Sequence, residues 1–380
     1  MLSAMPHTTT SPFPRSNPGA ITPIDQASSG TTYQTSHGLL LAVLRDVLLD
    51  VVGSAHGANG AGKTNLLESL HVGTQGFSPR TRADAQLIRL GADAARVALA
   101  GDRDGRALGL EVTFGGSNGK RAKLNGAPLR SAEQLRSEVA TLVFTPDRLA
   151  VVKGGPAARR AYFDRTLGRL LPGRATLPVE YAAAVGQRNA ALRRAGMGLS
   201  TSDAVAPWSE QVVALGDELV RARVAAIALL APAFAARGDE LGLPDAALEY
   251  VGEPPSLAAL EARLDRDLER GVTGLGPHLD DVTVRSGARD LRTFGSQGEQ
   301  RLAVLSLLLA EAELLADRRG VPPLVLLDDV LSELDAARRR TLAERIGLVG
   351  QAVVTATGAD ALPLEPAQLL EVTPGEVSVR

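Results

Sequence analysis

The sequence predicts an α/β fold with a mixed, mainly parallel sheet, into which a lobe of helices is inserted. Three observations carry that reading. A glycine-rich loop at residues 57–64 stands between β-type apolar runs and a segment suited to a helix. An all-apolar run at 324–327 ends in two carboxylates, and between 130 and 277 the chain turns to Ala-, Leu- and Arg-rich patterns of helical period. Strand and helix signals then alternate after residue 280, the pattern of parallel strands with crossover helices.

Composition bounds the rest. At roughly 100–200 residues per domain, 380 residues allow two packed units or one unit with a large insertion. With 44% hydrophobic but 3% aromatic residues, a sizeable core is available and must be built of Leu, Val and Ala. Forty-one basic against 43 acidic side chains require any nucleic-acid contact to come from a local patch. The absence of cysteine excludes disulfides and thiolate metal sites and fits a reducing cytoplasm. No apolar run is judged to reach the ~18–20 residues of a bilayer span, so a soluble, cytoplasmic protein with no membrane contact is expected. Lys63, Lys120, Lys123 and Lys153 are the only lysines, every other basic residue being arginine. A lysine kept in so biased a chain marks a place where a planar guanidinium is a poor substitute for a compact ammonium.

The elements follow in order. Residues 1–38, rich in Ser, Thr and Pro, read as a disordered N-terminal extension. Residues 39–130 form the N-terminal part of the head: apolar runs from Leu39 to Val52, the glycine loop, a helix over 65–72, strands within 97–114, and hairpin turns at 115–119 and at Asn125-Gly126. Residues 131–277 form the helical arm. Pro156 opens one helix that runs to about Leu171, a second covers 179–195, a long one follows Ser209, and Ser256 caps a segment stopped by Gly271. Residues 278–380 complete the head, with strands near 282–284, 324–327 and 352–355 and helices over 300–315 and after Asp335.

Gly57-Ala58-Asn59-Gly60-Ala61-Gly62-Lys63-Thr64 matches the phosphate loop G-x-x-x-x-G-K-T. Its glycines let successive amides curl around phosphates, Lys63 reaches the β- and γ-phosphates of ATP, and the Thr64 hydroxyl ligates Mg2+. Leu324-Val325-Leu326-Leu327-Asp328-Asp329 supplies the carboxylates: Asp328 holds the metal through water and Asp329 orients or deprotonates the attacking water. Lys63, Asp328 and Asp329 are thus the candidate catalytic residues. Gly295-Ser296-Gln297-Gly298-Glu299-Gln300 resembles the signature loop of ABC-type ATPases, in which Ser296 and Gly298 face a nucleotide held by a second subunit. Ser296 with Glu299 also fits a capping box, the reading as an ordinary helix start. Ser332-Glu333-Leu334-Asp335 resembles a D-loop.

From Gly57 to Val354 these motifs resemble the RecF family, bacterial recombination and repair ATPases of the structural-maintenance branch of the ABC class. The resemblance also rests on Phe144-Thr145-Pro146-Asp147, Val152-Lys153-Gly154-Gly155-Pro156, Arg159-Arg160, Gln187-Arg188-Asn189-Ala190-Ala191-Leu192 and Gly276-Pro277-His278-Leu279-Asp280-Asp281. It implies an ABC ATPase head with a helical arm, an ATP-dependent homodimer, and DNA binding at gaps and single-strand junctions. It further implies mediator proteins that load the recombinase, and roles in replication restart and the SOS response, with slow hydrolysis acting as a release switch. Three positions depart from the family pattern. Gly53-Ser54-Ala55-His56 separates the apolar run from Gly57, Gln297 stands where transporters have a second signature glycine, and Leu279 replaces an arginine.

Two other classes fit less well. A transporter subunit has its signature closer to the phosphate loop than the 232 residues between Thr64 and Ser296, and a histidine where this chain has Thr355-Ala356-Thr357. A long-armed chromosome clamp needs far more helix than 131–277 supplies, and Pro172, Pro178, Pro207, Pro232 and Pro244 interrupt that stretch. For DNA, residues 151–194 carry nine cationic against two acidic side chains. Lys153, Arg159, Arg160, Arg188, Arg193 and Arg194 are the candidate phosphate contacts, the alternative being a solvated face in an arginine-biased chain.

Overall fold

The computed structural model describes residues 32–34, 40–41, 52–103, 106–115, 119–131, 133–358, 362–363, 366 and 368–379. Within the expected extension, Thr32–Gln34 form a strand, β1, and the rest of 1–38 lies outside the described residues, as do 42–51. After β2 (Leu40–Leu41) comes β3 (Val52–His56), with four of its five residues buried. The segment read as separating an apolar run from the phosphate loop is therefore the strand that feeds it. Its residues are flanked on both sides, by β13 and by β14, and are small and mostly buried. Helix α1 (Lys63–Gln75) follows the loop and is stopped by Gly76 in the left-handed region at φ 74°.

Strands β4 (Ala94–Arg103), β5 (Arg106–Gly115), β6 (Arg121–Leu124) and β7 (Ala127–Pro128) make an antiparallel meander, closed on its outer side by β2. It packs on α1, where a Cβ on Gly73 would stand 2.5 Å from Leu99. After α2 (Glu133–Glu138), β8 (Thr141–Phe144) pairs in parallel with the 324–327 strand. The helical arm was expected to start at 131, so this strand of the head lies inside that span. Four consecutive apolar or β-branched residues without alternation give no sign of which layer they join.

The arm's helices are α3 (Ala150–Lys153), α4 (Pro156–Leu170), α5 (Leu177–Gly196) and α6 (Ala206–Leu241). Strand β9 (Ala246–Val251) and helices α7 (Leu257–Glu261) and α8 (Leu264–Arg270) complete it. Ser256 caps α7 by accepting the Ala259 N–H, and Gly271 stops α8 at φ 64°. Against expectation, the helical span Ser202–Leu241 is long and apolar enough to cross a bilayer by length and composition. Val212, Leu219, Ala222, Ile227, Leu230 and Phe234 nevertheless bury one side of it against α4, α5 and the signature helix, the behaviour of a core helix.

Strand β10 (Asp281–Ser286) pairs with β9 and with β11 (Arg289–Asp290). Short α9 (Leu291–Phe294) leads to α10 (Gln297–Arg319), whose residues from Gln300 to Ala312 are all buried. Then come β12 (Leu324–Leu327), α11 (Ala336–Leu348), β13 (Ala352–Ala356), β14 (Gln368–Thr373) and β15 (Glu376–Val379). The seven-stranded sheet runs β1-β15-β14-β3-β13-β12-β8, parallel from β14 to β8 and antiparallel at β15 and β1. One core fills the space between this sheet, α10 and α6; a second lies between its other face, α1 and the meander. The expected α/β class, with a mainly parallel sheet and inserted helices, is the fold observed.

Candidate nucleotide-binding site

In parallel sheets, ligands gather beyond the carboxyl ends of the strands, where loops leave the core and helix N-termini point outward. Here β3, β12 and β13 deliver His56, Asp328 and Thr355-Ala356 to one such edge. The loop after β3 turns at Ala58, whose carbonyl accepts the Ala61 N–H at 3.1 Å, and passes through the left-handed region at Gly60 (φ 82°) and Gly62 (φ 107°). A side chain would strain both positions. Gly57 is constrained by space: a Cβ there would meet the Val372 carbonyl of β14 at 2.2 Å. Ala61 is buried and anchors the loop, while Ala58, Asn59 and Gly60 are exposed. The Lys63 ammonium donates to the carbonyls of Gly57 (2.6 Å) and Ala58 (3.0 Å), a compact charge held over the mouth of the loop. No acidic residue occupies the first turn of α1, so its positive end is uncompensated by side chains.

Thr64 and Asp328 meet. The Thr64 hydroxyl donates to Asp328 Oδ1 at 3.2 Å across 264 residues of sequence, joining the two halves of the head at one point. Asp328 is buried, and Thr355 also donates to its Oδ1, at 2.8 Å. The Thr355 oxygen in turn accepts the Asp329 N–H at 2.9 Å. Asp329 has φ 48°, uncommon for a residue with a side chain, and presents an exposed carboxylate. The hydroxyl and carboxylate are hard oxygen donors, the set magnesium takes when phosphates supply further oxygens.

Ser296 caps α10 in a full capping box: its Oγ accepts the Glu299 N–H at 3.2 Å, and Glu299 Oε2 accepts the Ser296 N–H at 2.8 Å. The Ser296 amide, then Arg289 at 2.6 Å, hold the Glu299 carboxyl down to about 2. The capping-box reading of these residues is thus realised, and it leaves Ser296, Gln297 and Gly298 exposed on a rigid helix start, beside Phe294, which is 67% exposed. Gln300 reaches back to the carbonyls of Leu291 and Gly295 and fixes the loop from beneath. Arg301, one turn into the helix, pairs with Glu333 of the stretch read as a D-loop. Asp335 caps α11 through the Arg338 N–H.

Sequence reasoning passed over three of these residues: Thr355, Gln300 and Arg301. Thr355 is the penultimate residue of β13, the region where a histidine was sought, and its hydroxyl does the positioning.

The candidate DNA contacts divide. Lys153, Arg193 and Arg194 are exposed, although Arg193 also touches the Gly271 carbonyl at 3.4 Å. Arg160 is half-buried and donates to the Asp280 carbonyl at 2.6 Å. Arg159 and Arg188 are buried and unavailable to a DNA backbone, a correction to the sequence reading. Arg159 grips Asp281 with both arms of its fork and donates to the Gly154 carbonyl, tying α4 to β10. Arg188 is fully buried against Asp267, Ser209 and Thr273 inside the arm. A charge count along a segment cannot separate such internal pairs from a solvated face. His278 is likewise held internally, donating its Nε2–H to the Thr273 carbonyl at 3.0 Å and meeting the Tyr181 hydroxyl through Nδ1 at 2.8 Å.

A phosphate loop at the edge of a mainly parallel sheet, a strand-end carboxylate bonded to that loop, and a capped signature helix define the head of an ABC-type ATPase of the structural-maintenance kind. The RecF/RecN/SMC N-terminal domain family model matches residues 49–375. The chain is 37% identical over 303 residues to the DNA replication and repair protein RecF of Heliobacterium modesticaldum, covering 76% of this chain and 82% of the relative. It is 39% identical over 351 residues to the protein of that name from Anaeromyxobacter sp., covering 85% and 91%. A solved structure described as the recombination mediator protein RecF-ATP in the RecFOR pathway superposes with a TM-score of 0.76 at 25% identity, covering 87% of this chain and 91% of that one. The chain belongs to the RecF family. An Smc head domain from Pyrococcus furiosus, 16% identical with a TM-score of 0.50 and covering 87% of this chain and 90% of that one, shares the fold.

Proposed function

We propose that this chain is an ATP-dependent DNA-binding protein of replication restart and recombinational repair that works as a homodimer closed by nucleotide. The phosphate-loop amides and Lys63 hold the β- and γ-phosphates, and Thr64 and Asp328 hold Mg2+, which when bound spreads the charge of the phosphates. The exposed Ser296–Gly298 turn of a second copy covers the γ-phosphate with its helix N-terminus. Asp329 stands beside Asp328 to position or deprotonate the attacking water, and slow hydrolysis releases the closed form. Lys153, Arg193, Arg194 and Arg160 offer charge to a DNA backbone at gaps and single-strand junctions, so binding weakens steeply with salt. Mediator proteins and, through them, the recombinase are the expected partners, in a cytoplasmic setting and with a part in the SOS response.

The observation that supports this reading is the Thr64–Asp328 hydrogen bond, which brings together, from motifs at opposite ends of the chain, the two residues proposed to hold the metal. Light scattering with and without ATP, repeated with gapped DNA at two salt concentrations, tests it. Doubling of mass with ATP and tighter, salt-sensitive DNA binding by the doubled form is the expected result. An unchanged monomer that binds DNA equally with and without ATP overturns it.

A further inference from the structure

At the β8 edge of the sheet, beside the C-terminal end of α1, a cavity of about 30 Å3 lies between α1, β8, α4 and α10. That is room for roughly two water-sized atoms. Three arginines line it: Arg148 from the turn after β8, and Arg165 and Arg169 from α4. One carboxylate lines it, Glu311 of α10, which is fully buried and already engaged. Glu311 Oε1 accepts from Arg169, and Oε2 accepts from Tyr162 at 3.3 Å and Thr166 at 3.2 Å. Arg148 and Arg165 feel its charge but make no direct hydrogen bond to it among the described residues.

The remaining titratable groups do not compensate. His71 has a ring nitrogen 2.9 Å from the Phe77 carbonyl, and burial, followed by the three arginines, holds it down to about 3, so it is neutral at physiological pH. Burial raises the Tyr162 phenol, keeping it protonated. Burial and then Arg148 and Arg169 lower the Arg165 guanidinium to about 10, the direction expected of cations that crowd one another. Three cations therefore face one anion across a small cavity that Phe77, Leu142, Val143, Val304 and Leu308 also line, and those apolar neighbours make the imbalance costly.

We infer that this arginine-lined cavity is a binding site for a small oxyanion of the phosphate class. Two oxygens enter the cavity and the rest of the anion stays at the mouth, where Arg165 is exposed. The site is separate from the phosphate loop and does not depend on the proposed ATP switch. Planar guanidinium forks suit tetrahedral oxyanions, which accept paired charge-assisted hydrogen bonds.

The test uses the full chain carrying Lys63→Ala, so that the phosphate loop contributes little, titrated with inorganic phosphate by calorimetry and by the thermal midpoint. Saturable binding and a rising midpoint are expected, with chloride at matched ionic strength giving neither. Arg148→Gln or Arg165→Gln added to that background should weaken binding by about tenfold or more, the loss of a charge-assisted hydrogen bond. Arg165 is exposed and makes no ion pair among those seen, so its variant folds even if Arg148→Gln does not. Arg148→Gln should also raise the midpoint without phosphate, by relieving repulsion. Equal phosphate responses in all variants, the same response to chloride, or no binding at all would overturn the site.

Discussion

Thr355 donates a hydrogen bond to Asp328 at 2.8 Å while its oxygen accepts the Asp329 amide at 2.9 Å, so one hydroxyl sets both carboxylate-bearing residues. The Asp329 amide bond also holds that residue at φ 48°. Thr355→Val keeps the shape of the side chain and removes the hydroxyl. Outer-shell partners of this kind are worth about 10–100-fold in metal affinity or activity. Steady-state ATPase assays at varied magnesium should show a loss of that size, with Thr355→Ser restoring most of it.

Lys63→Arg keeps the charge but replaces a compact ammonium, bonded to two loop carbonyls, with a wide planar fork. The variant should stay folded, by circular dichroism, and lose ATP-induced association in light scattering.

Asp329→Asn keeps the fold of the turn and removes the base beside the nucleotide. It should accumulate the ATP-bound dimer, eluting as such in size-exclusion chromatography where the parent chain returns to monomer as ATP is consumed. Identical elution of the two chains would contradict the role given to Asp329.

The buried arginines should act on stability and the exposed cations on DNA. Arg188→Ala leaves Asp267 buried without its partner, at a cost of about 3–5 kcal/mol in urea denaturation. Lys153→Ala and Arg194→Ala should leave the denaturation midpoint in place and each lower the salt dependence of DNA binding by about one phosphate contact.

Low pH should loosen the start of the signature helix. Glu299 is held at about 2 in the folded chain against an ordinary 4.5, so its ionised form is favoured by folding. Its contribution is complete above about 4.5 and is lost as pH falls toward 2. Protection of the Glu299 and Gln300 amides, taken against the free-peptide exchange rate at each pH, should fall over that window, and Glu299→Gln should flatten the dependence.

Much of this head was legible in the sequence because its chemistry is local. The phosphate loop, the 324–327 strand with its carboxylates, and the Ser296 cap each lie within eight consecutive residues, and all three appear where the pattern placed them. What was not legible depends on distant partners. Gly53-Ser54-Ala55-His56 looked like a break because small residues hide a strand whose neighbours, β13 and β14, come from the far end of the chain. Thr141–Phe144 joined the head because of a pairing with 324–327. Arg159 and Arg188 looked like phosphate contacts until Asp281 and Asp267, 122 and 79 residues away, were seen to neutralise them.

The central claim is that the Ser296 loop of one copy covers the phosphate loop of another. The chain has no cysteine, so introduced thiols report only on their own positions. Asn59 is exposed on the phosphate loop, and a Cβ on Gly298 would meet no atom closer than 3.9 Å. Two differently tagged chains, one Asn59→Cys and the other Gly298→Cys, would be mixed and treated with a short bismaleimide with and without ATP. A covalent pair carrying both tags, formed with ATP and absent without it, is the predicted result; no such pair, or equal yields in both conditions, would contradict the account.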